Sequence, residues 1–304
     1  MRRAAWGVVL ALAVTSVGLR AAIETGREPA EVPSAGRSFP WVLLPAGLRA
    51  IAVEVLWLRA EGYLDQGRFE ELLSDYQLLA YLQSDDEVAV GYLADQLAFT
   101  VSRYTTDPEE ELRWVRAAIR LLETGLRRNP ASSILSAQSG EIYLDLLTRD
   151  TRIQTAFREQ EGQSAAESAL RAFARARDLE PGTARWSPKV VLCLFLAKRE
   201  RLLAGEYGVA RDYLGRASDL LREARAEEPD LFSDAGAGRR WLGRTEAWIE
   251  VVDELVRLER SRREGSSSRL ERQWQSILDR LDLMVERFPE DRFAVEFRGK
   301  LRGD

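Results

Sequence analysis

Apolar residues recur along most of this chain at the spacing of one helix face. In residues 109–127 one set of apolar residues, Leu112, Val115, Ile119, Leu122 and Leu126, is separated by three or four residues. No segment shows the strict alternation of apolar and polar residues that a half-buried strand requires. The pattern therefore predicts an all-α protein.

The stretch 56–72 shows how the predicted helices are joined. A helix over about 46–65 is followed by Gly67, which suits a tight turn, and a second amphipathic helix begins at Arg68. Two such helices cannot bury their apolar faces alone, so recurrence of the pair predicts a stack of pairs.

Helix start and stop signals place the remaining elements. A capping Asp107, Pro108 and three acidic residues open the helix over 109–127, and Pro130 follows its end. Similar signals predict helices over 87–104, 153–157, 164–179, 189–203 and 269–287, a long helix carrying Trp241 to Leu255, and a short C-terminal helix over 291–301.

The first helix pair resembles a tetratricopeptide repeat. That family has small, aromatic and glycine residues at set places of a 34-residue helix–turn–helix. The places are matched here by Ala60, Tyr63, Gly67, Phe69 and Tyr76. The resemblance implies a superhelical solenoid whose first helices line a concave groove that holds peptides or partner helices.

The same resemblance, more loosely, covers residues 46–290. The prolines that close successive pairs lie about 50 to 60 residues apart, against 34 in the family, so the array is irregular. We expect about five helix pairs and a C-terminal cap within residues 41–304.

The N-terminus carries an export signature. Arg2 and Arg3 precede an apolar run over 4–19, and Arg20 follows it. We expect residues 1–23 to be an uncleaved signal-anchor that crosses the inner membrane once through residues 4–23, with the bulk of the chain exported. The alternative is a cleaved signal peptide and a periplasmic or secreted protein. Residues 24–40 are rich in Glu, Gly, Pro and Ser and read as a linker.

The amino-acid composition limits the kinds of functional site that the chain can form. The chain has no histidine and a formal net charge of -5, which argues against imidazole-dependent sites and a nucleic-acid surface. Its one cysteine, Cys193, lies in an apolar run without a neighbouring base and is expected to be buried and unreactive. Nucleotide, haem and metal motifs are absent from the sequence, so we expect no cofactor and no metal.

Candidate partner-binding residues lie on the predicted first helices. The candidates are Trp57, Glu61, Asp65, Glu141, Asp145 and Arg199. The alternative is that these residues are only solvated charges and packed tryptophan. Glu61 and Asp65 also stand four residues apart on one helix face, the minimum that a glycan hydrolase would need.

These observations predict a membrane-tethered scaffold without catalytic activity that holds a protein or peptide partner in an envelope complex. A soluble peptide-binding repeat protein and a glycan-acting enzyme on the same helical scaffold are the alternatives.

Overall fold

A computed structural model describes residues 46–181, 185–227, 229–232, 237–264 and 267–303. These residues form α-helices joined by short turns, and no strand occurs among them, so the all-α prediction is confirmed. The helices are α1 Ala46–Asp65, α2 Phe69–Leu82, α3 Glu87–Asp95, α4 Pro108–Arg128, α5 Ser133–Leu146, α6 Thr151–Glu161, α7 Ala165–Leu179, α8 Ser187–Leu203, α9 Tyr207–Glu227, α10 Ala237–Glu264, α11 Ser267–Arg287 and α12 Arg292–Arg302. The expected signal-anchor, the linker and the start of the predicted domain at residue 41 lie outside the described residues.

Side-chain caps start several of these helices. Asp86 accepts hydrogen bonds from the backbone amides of Val88 and Ala89 at the start of α3, and Asp107 accepts from Glu109 at the start of α4. Each cap satisfies amides that the first turn of a helix leaves without a partner. The cap at Asp107 and the proline after it confirm the start signal read from the sequence.

Glycine with positive φ supports the turns between paired helices. Gly67 has φ 68° between α1 and α2, and Gly205 has φ 77° between α8 and α9. Left-handed backbone of this kind costs glycine little, whereas a side chain would be strained. The predicted turn at Gly67 is therefore confirmed.

Helices pack mainly against their neighbours in chain order. Each of α1 to α11 contacts the next helix or the next but one; α3 against α5 and α5 against α7 are examples of the second kind. The buried side chains form successive clusters. The largest runs from α1 to the start of α7, another joins α5, α7, α8 and α9, and another joins α8 to α12.

The region after α3 differs from the single helix predicted over 87–104. The α-helix ends at Asp95, a π-helical turn covers Gln96–Thr100, and a 3-10 turn covers Val101–Tyr104. The carbonyl of Ala98 accepts hydrogen bonds from the Ser102 hydroxyl, at 2.5 Å, and from the Arg149 guanidinium, at 2.6 Å. These side-chain contacts join the turns to a distant part of the chain, which apolar spacing alone cannot reveal.

Close helix approach depends on small residues at particular contacts. A Cβ atom on Gly140 of α5 would lie 2.6 Å from the ring of Phe173 on α7, and one on Gly91 of α3 would lie 2.1 Å from the Gln138 side chain on α5. The partner side chain fills the space that glycine leaves, so α5 packs tightly against both α3 and α7.

A buried lysine organises the C-terminal cluster. The Lys198 ammonium on α8 lies 3.8 Å from the ring centroid of Trp248, 4.8 Å from that of Phe293 and 5.2 Å from that of Phe195. Burial lowers the pKa of Lys198 to about 7, while the nearby Asp291 carboxylate acts in the opposite direction. Asp291 also caps α12 and accepts a hydrogen bond from the Trp248 indole at 2.9 Å.

We expect Gly140→Ala to lower the free energy of unfolding by about 1–3 kcal/mol, because the added methyl group overlaps the Phe173 ring. Gly299→Ala is the matched control, since its Cβ would meet open space within α12. The control should be neutral or more stable by up to about 1 kcal/mol through helix propensity. Urea unfolding followed by far-UV circular dichroism measures both. Equal effects of the two substitutions would contradict the tight α5–α7 contact.

The lowered pKa of Lys198 predicts that the free energy of unfolding depends on pH. In the unfolded chain the amine stays protonated up to about pH 10.5, whereas in the folded protein it releases its proton near pH 7. The unfolded state therefore binds more protons between these values, and stability rises with pH by at most about 1.4 kcal/mol per unit. The difference in unfolding free energy between wild type and Lys198→Met should show this slope, since other titrating groups cancel. Parallel profiles for the two proteins would contradict it.

Candidate partner-binding site

One continuous surface is built from the first helices of successive pairs. It consists of residues from α1, α3, α5 and α8, and we call it the first-helix face: Trp57, Val88, Tyr92, Asp95, Ile134, Glu141 and Lys189. Three links hold it together. The rings of Trp57 and Tyr92 are 5.7 Å apart, α3 packs on α5, and the Lys189 ammonium lies 2.9 Å from a Glu141 carboxylate oxygen.

An open cleft of about 610 Å³ marks the end of this face near the start of α1. Arg49 of α1 lies on one side, the acidic run Asp85 to Glu87 before and within the first turn of α3 lies on another, and Val88 and Ile134 complete it. The Arg49 guanidinium donates to the carbonyl of Leu82, so its cationic group is already engaged with α2. The cleft thus combines apolar side chains with carboxylates.

The aromatic part of the face is held by Trp57. Its indole donates to the Gln83 side chain at 3.0 Å, and its ring centroid lies 6.5 Å from that of Tyr76. This fixed tryptophan supports Tyr92, of which 50% is exposed, while Val88 one turn earlier on α3 is 71% exposed. Large apolar side chains that are this exposed and this close together are a common feature of interaction surfaces.

Two carboxylates face each other across α3 and α5. Burial and the neighbouring Glu141 both raise the pKa of Asp95 above its ordinary value. Glu141 is bound by Lys189, whereas Asp95 makes no hydrogen bond or ion pair with any other described residue. On α5, the Gln138 side-chain oxygen, which lies against Gly91, is buried without a hydrogen-bond partner in the described structure.

The other predicted candidates have different surroundings. Glu61 and Asp65 are exposed on α1 and have no hydrogen-bond or ion-pair partner among the described residues. Arg199 lies on α8 beside the C-terminal cluster, where it pairs with Glu296 and lies over the Phe293 ring. The structure therefore does not bring Arg199 together with Trp57.

Asp145 belongs to an ion-pair network rather than to an open groove. Arg149, whose side chain is only 6% exposed, lies 2.6 Å from the Asp145 carboxylate and also donates to Glu111 and to Ser102. Arg103 binds the other Asp145 oxygen at 2.7 Å. This network joins α4 to α5 and to the turns after α3, which gives Asp145 a structural role.

Sequence reasoning missed most of the apolar part of the face. Val88, Tyr92 and Ile134 are not among the candidates predicted from the sequence, because apolar residues at helical spacing are usually buried. A usable signal was present: Val88 and Tyr92 are four residues apart and lie off the stripe Val90, Leu93, Ala94 and Leu97 that faces the core.

Catalytic alternatives gain no geometric support. Cys193 is buried, as predicted, and burial raises the pKa of its thiol to about 12, so the thiolate that would act as a nucleophile is not formed at neutral pH. Glu61 and Asp65 stand in open solvent. Within the described part of the chain, no three side chains of His, Cys, Asp or Glu are grouped to hold a metal ion.

No protein-family model matches this chain, and no curated protein matches it. Among the helices that the structure describes, none combines the length and the apolar character needed to cross a membrane. The predicted membrane segment at residues 4–23 lies outside the described residues.

We expect Arg149→Leu to destabilise the protein by about 3–5 kcal/mol, because it leaves Asp145 and Glu111 partly buried without their shared cation. Arg152→Ala is the control, since Arg152 pairs with Asp150 at the surface and its side chain is 73% exposed. That substitution should leave stability almost unchanged, because an exposed ion pair contributes little. Chemical unfolding distinguishes the two, and similar losses for both would contradict the network's structural role.

Proposed function

We propose that this protein is a helical-repeat scaffold that binds a protein or peptide partner on the first-helix face. The observation that carries the proposal is the exposure of Val88, Tyr92 and Ile134 on one surface. Next to them lie the carboxylates of Asp85 and Asp95, which have no hydrogen-bond or ion-pair partner among the described residues. Exposed apolar side chains in one patch cost solvation free energy that binding recovers.

A solenoid of helix pairs is the arrangement we propose for the scaffold. It is supported by the packing of helices on their neighbours in chain order and by the core, which continues from cluster to cluster instead of forming one centre. The likeness of Ala60 to Tyr76 to a tetratricopeptide repeat supports the same proposal, as do the glycine contacts that bring α3, α5 and α7 together.

Tethering to the inner membrane, with the scaffold exported, is proposed from the sequence of residues 1–23. Its support is the pair Arg2 and Arg3 followed by the apolar run over 4–19. Recovery of the full-length protein in the membrane fraction after an alkaline wash, and its release when residues 4–19 are deleted, would support the tether. A shortened N-terminus in the mature protein would instead support the soluble, exported alternative.

The binding proposal predicts that Val88→Asp lowers recovery of the partner at least about tenfold when the tagged protein is purified from its own cells. A charge placed among apolar contacts costs well over 1.4 kcal/mol of binding. Leu283→Asp is the matched control, because Leu283 on α11 is also an exposed large apolar residue, at 64%. Quantitative mass spectrometry compares the two variants with wild type. Equal losses in both, or loss in neither, would count against the first-helix face.

A further inference from the structure

The charges on the first-helix face and on Glu61 and Asp85, which border it, are not balanced. Glu61, Asp85 and Asp95 make no hydrogen bond or ion pair with any described residue, while the cations nearby are engaged: Arg49 with the Leu82 carbonyl and Lys189 with Glu141. Elsewhere on the described surface, arginines commonly pair with carboxylates, as Arg280 does with Glu250 and Arg302 with Asp282. The face is therefore locally acidic.

The acidic groups alternate with the exposed apolar ones. Asp85 lines the same cleft as Val88 and Ile134, and Asp95 follows Tyr92 by three residues on α3. Glu61 lies close enough to Tyr76, which contacts Trp57, to raise the pKa of the Tyr76 phenol. A partner that covers the apolar groups must therefore meet negative charge at both ends of the patch.

Asp95 is the carboxylate near this face that would gain most from binding a cation of the partner. Its carboxylate is partly removed from water beside Glu141, and Lys189 is the only described cation shown bound to either of the two. A guanidinium can hydrogen-bond a carboxylate through two donors and lie against an aromatic ring at the same time. Tyr92, one turn before Asp95, supplies that ring.

We propose that the occupant of the first-helix face is a protein segment that combines arginine with large apolar side chains. This inference rests on the proposed function and names the chemistry of its partner. Asp95 receives the arginine, Glu61 and Asp85 attract the flanking positive charge, and the apolar side chains cover Val88, Tyr92 and Ile134. An acidic segment would meet like charge, which costs binding free energy in a partly desolvated site.

The test uses the full-length protein in detergent micelles and a randomised phage-displayed peptide library. Peptides retained by wild type but not by Val88→Asp are sequenced and compared with the input. Enrichment of arginine together with Leu, Phe, Trp or Tyr is the expected result. The best peptide is then synthesised, and its affinity is measured by fluorescence anisotropy at low and high salt.

Charge-removing substitutions provide the controls. Asp95→Asn combined with Glu61→Gln should weaken the peptide at least about tenfold and reduce the salt dependence of binding. Asp212→Asn combined with Glu223→Gln removes two exposed carboxylates from α9 and should leave affinity unchanged. Replacing the peptide arginine by citrulline keeps the shape and removes the charge, so it should weaken binding by a similar factor. This control does not depend on the folding of a protein variant.

The outcomes separate the two proposals. Selected peptides that are acidic or uncharged, yet still lost in Val88→Asp, would overturn the arginine inference and leave the binding function standing. A library that yields no peptide sensitive to Val88→Asp would count against both. Arginine-rich peptides whose affinity is equal in the Asp95→Asn/Glu61→Gln and wild-type proteins would also overturn the inference.

Discussion

Close helix approach at glycine is the constraint on which the central part of this structure depends. At Gly140 a methyl group would overlap the Phe173 ring, and at Gly91 it would overlap the end of the Gln138 side chain. Gly140 and Gln138 both lie on α5, so these contacts position α5 against α3 on one side and α7 on the other. The exposed side chains of α3 and α5 are placed relative to each other by these buried contacts, so the geometry of the surface follows from packing beneath it.

Most of the helices, and the joining of successive helices into pairs, could be predicted from the sequence. Helix boundaries follow from caps such as Asp107 and from glycine turns such as Gly67, because these act through neighbouring residues alone. The interruption after Asp95 could not be read in this way. At this place the Ala98 carbonyl accepts a hydrogen bond from Arg149, more than fifty residues away in the chain, and only the tertiary fold brings them together.

The candidate site was predictable only in part, for a similar reason. Trp57 and Glu141 lie on the first-helix face, whereas Asp145 is bound by Arg149 and Arg199 lies beside α12. Whether a charged residue is paired depends on which neighbouring helix packs beside it, and the periodicity of apolar residues does not show which helix that is. Val88 and Tyr92, by contrast, lie off the core-facing stripe of α3, so their exposure could have been read from the sequence.

Cys193 has a practical consequence. It is the single cysteine of the chain, and burial holds its thiol in the protonated form at neutral pH. A cysteine introduced at an exposed position would therefore react with a maleimide dye much faster than Cys193 does. Spectroscopic probes can accordingly be attached at chosen points along the molecule without first removing the native thiol, whose volume fills part of the contact between α5, α7 and α8.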